Sequence, residues 1–344
     1  MLGLRFSVLA ICLTLCSQWI GPVDSKVCET HDKKLGKCRR PRDCPALKSI
    51  AEKWKKKINL TDEEDRYRRS VVACDKRRTF CCEDPLNSEG LELLEKNDNI
   101  CGVFAIYVYS RNTIGPGMQP WITLLEYETQ PFGKQFKCGG SLITSEFVLT
   151  AAHCISETLV SVRLGEHDHK FLGNSKIFPE GTPLDVPVEK VFTHPQFDER
   201  NYRNDIALIR LKEPVQYTEW IRPTCLPRFA DLQMEIQEAE SMEVIGWGFT
   251  KPNILEEIPK RAIVQRLGLA QCGIDDDTKI CVSGEGIDMD VGVSGGSLSH
   301  VAFYKDRQRM VQAGIMSYKY GHQKTVYTDV AEFMGWITET IVKN

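Results

Sequence analysis

The sequence predicts a mainly β protein in two parts. A small disulfide-rich N-terminal module precedes a larger module of two β-barrels closed by a C-terminal helix. Three observations carry this. Six cysteines crowd into residues 28–82. From Trp121 onward, short apolar runs alternate with turn signals, the pattern of an all-β barrel pair. Only at the end does the period change, where Val330, Phe333, Met334, Ile337 and Ile341 fall at helical spacing.

In chain order, Met1 to Arg5 and the apolar run from Phe6 to Cys16 read as a secretory leader over residues 1–25. The run is too short to span a bilayer, and no later stretch is long and apolar enough. Of 14 cysteines, Cys12 and Cys16 fall in the leader. The twelve that remain behind a secretion signal point to disulfides rather than a metal site. The chain carries a net charge of −3, yet residues 26–82 hold 18 Lys/Arg against 9 Asp/Glu. A basic module joined to an acidic one suggests internal docking or an anionic partner, although a solvated basic face accounts for it equally. Neither a nucleic-acid partner nor a membrane span is expected.

The first module holds Cys28, Cys38, Cys44, Cys74, Cys81 and Cys82. Fewer than sixty residues build little core, so three bridges are expected to hold it together. Spacing alone leaves all 15 connectivities open. Leu47, Ile50, Trp54 and Ile58 predict one short helix, and Thr61-Asp62-Glu63-Glu64 opens a second with a capping-box pattern. Asn59-Leu60-Thr61 is a glycosylation acceptor. Residues 83–111, polar and acidic around Glu89–Asp98, read as a linker.

The second module, residues 112–344, has strand-like runs at Ile122–Leu125, Phe147–Leu149, Ile206–Leu211 and Met242–Ile245. Three motifs fall among them. Thr150-Ala151-Ala152-His153-Cys154 supplies a candidate general base, and Asn204-Asp205-Ile206 a carboxylate that could orient it. Gly292-Val293-Ser294-Gly295-Gly296 supplies a candidate nucleophile in a glycine loop whose N–H groups could face an oxyanion. His, Asp, Ser is one of several chain orders for such a triad.

The cysteine pattern of residues 28–82, ending in Cys–x6–Cys–Cys, resembles the clip domain of arthropod extracellular serine proteinases. Residues 121–344, with Gly246-Trp247-Gly248 and Val326-Tyr327-Thr328 beside the three motifs, resemble chymotrypsin-like enzymes. The resemblance implies a chymotrypsin-like double β-barrel behind a clip domain. It implies bridges Cys28–Cys81, Cys38–Cys74 and Cys44–Cys82 in the first module, and Cys101–Cys225, Cys138–Cys154 and Cys272–Cys281 in the second. His153, Asp205 and Ser294 take the triad positions, Gly292 and Ser294 the oxyanion donors, and Asp288 the pocket-floor acid that selects Lys or Arg. Implied partners are other clip-domain proteases or homologues and cascade substrates such as prophenoloxidase.

The family pattern breaks in several places at once. Val293 stands where the family keeps the acid that binds a freed amino terminus. The matching start, after a candidate cleavage at Arg111, reads Asn112-Thr113-Ile114-Gly115 and is several residues short. Removing one partner of a buried pair strands a charge at roughly 3–5 kcal/mol, whereas losing both leaves a fold that can be stable. A pocket disulfide is also missing at both ends, at Asp290 and near His322. Lys319 and Thr325 replace glycines of the substrate strand and the pocket wall. A β-branched side chain at 325 is expected to block entry toward Asp288. Glu166 opens a loop that binds calcium in some relatives, though a hard cation needs several oxygen ligands, and no cofactor is expected. The expectation is a secreted, non-catalytic homologue that regulates an extracellular cascade of innate immunity, including melanisation. The alternatives are an active trypsin-like endopeptidase and a recognition protein whose basic module binds anionic microbial surfaces.

Overall fold

The computed structural model describes residues 27–29, 35–40, 44–74, 79–83, 86–104, 117–167, 183–251, 254–255, 259–284, 294–305, 307–321 and 323–344. The chain divides into two compact units, residues 1–84 and 85–344.

In the first unit, β1 (Val27–Glu29), β2 (Leu35–Arg39) and β3 (Phe80–Glu83) form one antiparallel sheet in the order β1-β2-β3. Helices α1 (Pro45–Lys55) and α2 (Asp62–Ser70) lie between β2 and β3 in the chain. The bridges are Cys28–Cys81, Cys38–Cys74 and Cys44–Cys82. Cys44, Cys81 and Cys82 are almost fully buried and, with Ile50, make up the buried apolar centre of this unit among the described residues. The capping box at α2 is complete: Thr61 Oγ1 accepts from Glu64 N, and the Glu64 side chain accepts from Thr61 N. One expectation fails. Ile58 does not extend the first helix, because α1 stops at Lys55, Lys57 turns with φ 55°, and Ile58 is half exposed.

The segment 83–111, expected as a linker, also differs where it is described. Residues 88–95 form α3 (Ser88–Glu95), capped by Asn87 Oδ1 accepting from Gly90 N. This helix packs on the C-terminal helix of the second unit. A Cβ at Gly90 would come 2.2 Å from Thr338 O, so only glycine permits the approach. Asn87 N donates to Thr338 Oγ1, and Leu94 is buried. The acidic composition hides a narrow face made of Gly90 and Leu94.

The first barrel closes in the order β4-β5-β6-β9-β8-β7, from β4 (Ile122–Thr129), β5 (Gly133–Leu142), β6 (Phe147–Thr150), β7 (Leu159–Leu164), β8 (Leu184–Thr193) and β9 (Ala207–Leu211). Next come α4 (Ala230–Glu238), then β10 (Ser241–Gly246) and the small ribbon of β11 (Phe249–Lys251) and β12 (Ile254–Leu255). The second barrel closes as β10-β13-β14-β17-β16-β15, using β13 (Lys260–Leu267), β14 (Lys279–Ser283), β15 (Ser297–Tyr304), β16 (Arg307–Tyr320) and β17 (Lys324–Asp329). The final helix, α5 (Met334–Lys343), starts a turn later than its apolar spacing suggests. Val330 to Phe333 form a 3-10 turn, capped by Asp329 Oδ1 accepting from Ala331 N. No helix among the described residues is long and apolar enough to cross a membrane. Cys101–Cys225, Cys138–Cys154 and Cys272–Cys281 are bridged.

Two buried charges are handled differently. Asp98, just beyond α3, meets Arg228, accepts from Tyr304 OH at 2.8 Å and pairs with Lys305 at 2.6 Å. Burial works to raise its pKa, but Lys305, Tyr304 and Arg228 outweigh it and hold the carboxyl below its ordinary value. Lys279, at the head of β14, is only 2 % exposed. Burial drives its pKa down to about 8, against smaller opposing effects of Asp205 and Asp276.

Two outcomes follow. Arg228→Ala leaves Asp98 short of a partner and should lower unfolding stability by about 3–5 kcal/mol in urea titrations. For Lys279 the folded pKa lies below the unfolded one. Below pH 8 both states hold the proton, and the cost of burying the ammonium is fully present. From pH 8 toward 10.5 the folded chain releases it first, so stability rises with pH. Lys279→Met should therefore abolish this pH dependence: the rise in unfolding stability between pH 8 and 10.5 shown by the unmutated chain should be absent from urea titrations of the variant.

Candidate functional site

The cleft residues come from both barrels. Beyond β6, residues 152–154 make a single 3-10 turn, and Cys138–Cys154 ties that turn to β5. This fixes His153 on a rigid base. Asp205 precedes β9 and follows Asn204, whose φ is 52°. The backbone N–H of His153 donates to Asp205 Oδ1 at 3.0 Å, and Nδ1 lies 2.8 Å from Oδ2. With the carboxylate ionised, Nδ1 is the donor in this contact.

Asp205 is fully buried, and the second barrel completes its environment. Ser317 Oγ on β16 donates to Oδ2 at 2.5 Å, and Thr328 Oγ1 on β17 donates to the Asp205 carbonyl at 2.9 Å. Burial alone would raise this carboxyl's pKa. The hydrogen bond and charge of His153, then Ser317 and the His153 N–H, overcome that and lower it. The same two hydroxyls meet Lys279, whose Nζ lies 3.0 Å from Thr328 Oγ1, 3.5 Å from Ser317 Oγ and 2.6 Å from the Tyr202 carbonyl. Ser317, Thr328 and Lys279 were not among the residues singled out by sequence. A lysine opening the run Lys279-Ile280-Cys281-Val282 reads as an exposed strand end, and its only signal is the apolar company it keeps.

Ser294 is brought to this cleft by its own backbone. Its carbonyl accepts from Gly139 N at 2.8 Å, Gly295 N donates to Met316 O at 2.9 Å, and Met316 N returns a bond to Gly296 O at 2.8 Å. Gly295 has φ 80°, and a Cβ there would fall 2.3 Å from Thr150 Oγ1 and 2.4 Å from Gly139 O. Only glycine allows that contact, which sets Ser294 beside the Thr150–His153 segment. Among the described residues no hydrogen bond joins Ser294 to His153. Gly292, Val293, Asp288 and Arg111 lie outside the described residues, as do Asp290 and His322.

Thr325 sits on β17 opposite Val282 of β14 and Lys319 of β16. Its side chain is 1 % exposed, and Oγ1 finds no hydrogen-bond partner among the described residues. The Thr325 methyl and hydroxyl therefore fill enclosed space, while Lys319 is exposed. The ring of Tyr202 stands edge-on to His153 at 5.6 Å and packs on Tyr318 at 5.4 Å. Neither tyrosine was singled out by sequence.

Two further residues lie apart from this cluster. Glu166, nearly buried, accepts from His167 N at 2.9 Å and pairs at 3.4 Å with Arg163, which also grips Asp185 through two bonds of 2.7 Å. Its carboxylate thus already faces an internal cation. Asn59 is exposed in the first unit, with Thr61 of the same acceptor motif engaged as a helix cap.

Comparison with known proteins places this geometry. A family model described as Trypsin matches residues 109–337. A CLIP domain-containing serine protease B4 of Anopheles gambiae is 31 % identical and covered over 90 % of both chains. Melanization protease 1 of Drosophila melanogaster is 29 % identical over 91 % of this chain and 92 % of its own. Serine protease ea of the same species is 33 % identical over 64 % of each. The crystal structure of the Drosophila Grass clip serine protease of the Toll pathway superposes with a TM-score of 0.70 at 27 % identity, covering 92 % of this chain and 98 % of that one. Between a matched peptidase model and clip-bearing relatives alike over nine-tenths of its length, the chain belongs to the trypsin family, beside the clip-domain serine proteases of insects.

Proposed function

We propose that this protein is a secreted, non-catalytic clip-domain protease homologue. It acts as a cofactor or regulator in an extracellular proteolytic cascade of innate immunity, of the kind that leads through prophenoloxidase activation to melanisation. Val293 carries the reading. A valine cannot receive the ammonium that orders the oxyanion loop in the family, and the segment after Arg111 offers no family-type terminus to receive. The enclosed Thr325 supports it, since the family resemblance puts a glycine at this point of the pocket wall and the threonine side chain adds volume there. Cascade context comes from relatives named for melanisation and for the Toll pathway. Six disulfides and the apolar leader of residues 1–25 support secretion. The partners are other clip-domain proteases or homologues of the same cascade. Cleavage at Arg111 changes access to them without creating turnover.

A second reading, an active trypsin-like endopeptidase, is favoured by one observation: His153 and Asp205 are bonded as a working base and orienter would be. The two readings separate on a fluorophosphonate probe applied to the Arg111-cleaved protein. The expected outcome is labelling of Ser294 at least about 10²-fold slower than for a trypsin control, the scale of losing one oxyanion donor. Stoichiometric labelling at the control rate would favour the endopeptidase.

A further inference from the structure

We infer that Lys279 is a positioning residue that pins the loop of residues 196–204 to the second barrel, so that the Tyr202 ring is held against one side of His153. This deepens the proposed function and rests on it for its purpose, whereas the geometry stands independently.

The loop has few ties of its own to the second barrel. Most of its hydrogen bonds are internal, with Asp198 binding Arg200 and Asn201, Arg203 N donating to Asn201 Oδ1, and Asp198 N donating to Arg203 O. Two residues flanking Arg203 are left-handed without being glycine, Tyr202 at φ 55° and Asn204 at φ 52°. Such backbone persists only where surrounding contacts hold it. At Tyr202 the contact is the Lys279 ammonium, bonded to its carbonyl at 2.6 Å. A second tie, Arg203 to Asp276 at 3.8 Å, involves an exposed arginine and holds weakly.

What the latch positions is the Tyr202 ring. It stands across the His153 imidazole and rests on Tyr318. The edge-on contact shields one side of the imidazole, and the His153 side chain keeps 19 % exposure. Because Lys279 also touches Thr328 and lies near Ser317, one ammonium serves both the loop and the hydroxyls that bind Asp205. The arrangement shields one side of the histidine while leaving its bond to Asp205 intact.

The test compares Lys279→Met and Tyr202→Ala with the unmutated full chain, after thermal melts establish that each is folded. In Lys279→Met, hydrogen exchange at the amides of Asp198, Arg200, Asn201 and Arg203 should accelerate at least about ten-fold, the local openings being drawn from low-stability segments. The strands of the second barrel should keep their protection. Diethyl pyrocarbonate should modify His153 faster in both variants, read by peptide mass spectrometry. Absence of either effect in Lys279→Met overturns the inference. That outcome is independent of probe labelling at Ser294, which tests only whether the site turns over.

Discussion

The two barrels meet around one buried carboxylate. Asp205 has no exposure to water, so its charge persists only because groups from separate strands converge on it. His153 comes from the turn after β6 and Ser317 from β16, with the Lys279 ammonium one hydroxyl away through Ser317, while Thr328 of β17 holds the Asp205 backbone carbonyl. The requirement that a buried charge be paired also governs Asp98. Arg228, Tyr304 and Lys305 compensate it, and the pairing fastens the end of α3 to β15 within the second unit. On the proposed reading it governs the activation switch as well, where both partners are gone together rather than one being stranded.

This constraint bears on how retained triad residues are read. His153 and Asp205 form a structural pair whether or not chemistry follows. Removing the histidine side chain would leave a fully buried carboxylate short of the ring's hydrogen bond, with the backbone N–H of residue 153 still donating to it. A chain that has given up turnover still has a physical reason to keep both. Retention of the pair therefore says little about activity, and the segments that order the oxyanion donors and shape the pocket say more. On the proposed reading Thr325 belongs to that second group, its side chain being enclosed on β17.

Much of the fold was legible because it rests on local pattern. The runs at Ile122, Phe147 and Met242 fall inside β4, β6 and β10, and Thr61 caps α2 through its own motif. The failures share a cause. Nothing local marks Gly90 as the contact face of a helix, since its partner Thr338 is nearly the whole second unit away. Ile58 kept the right spacing but lay beyond a left-handed lysine that ended the helix. Ser317, Thr328, Lys279 and Tyr202 are joined only by the closure of the two barrels. The motifs holding His153, Asp205 and Ser294 could be read directly, but the hydroxyls and ammonium that support them could not.

The central claim is that the missing ammonium–carboxylate pair, and not any defect at His153, Asp205 or Ser294, silences the site. A double-mutant cycle measures this most directly. One variant carries Val293→Asp, a second replaces residues 112–116 with a full-length family-type Ile-Val-Gly-Gly start, and a third carries both changes. Each is cleaved at Arg111, and fluorophosphonate labelling of Ser294 is timed. The account predicts that the combined variant labels at least about 10²-fold faster than either single one. Labelling by Val293→Asp alone at the rate of the combined variant, or no gain in the combined variant, would contradict it.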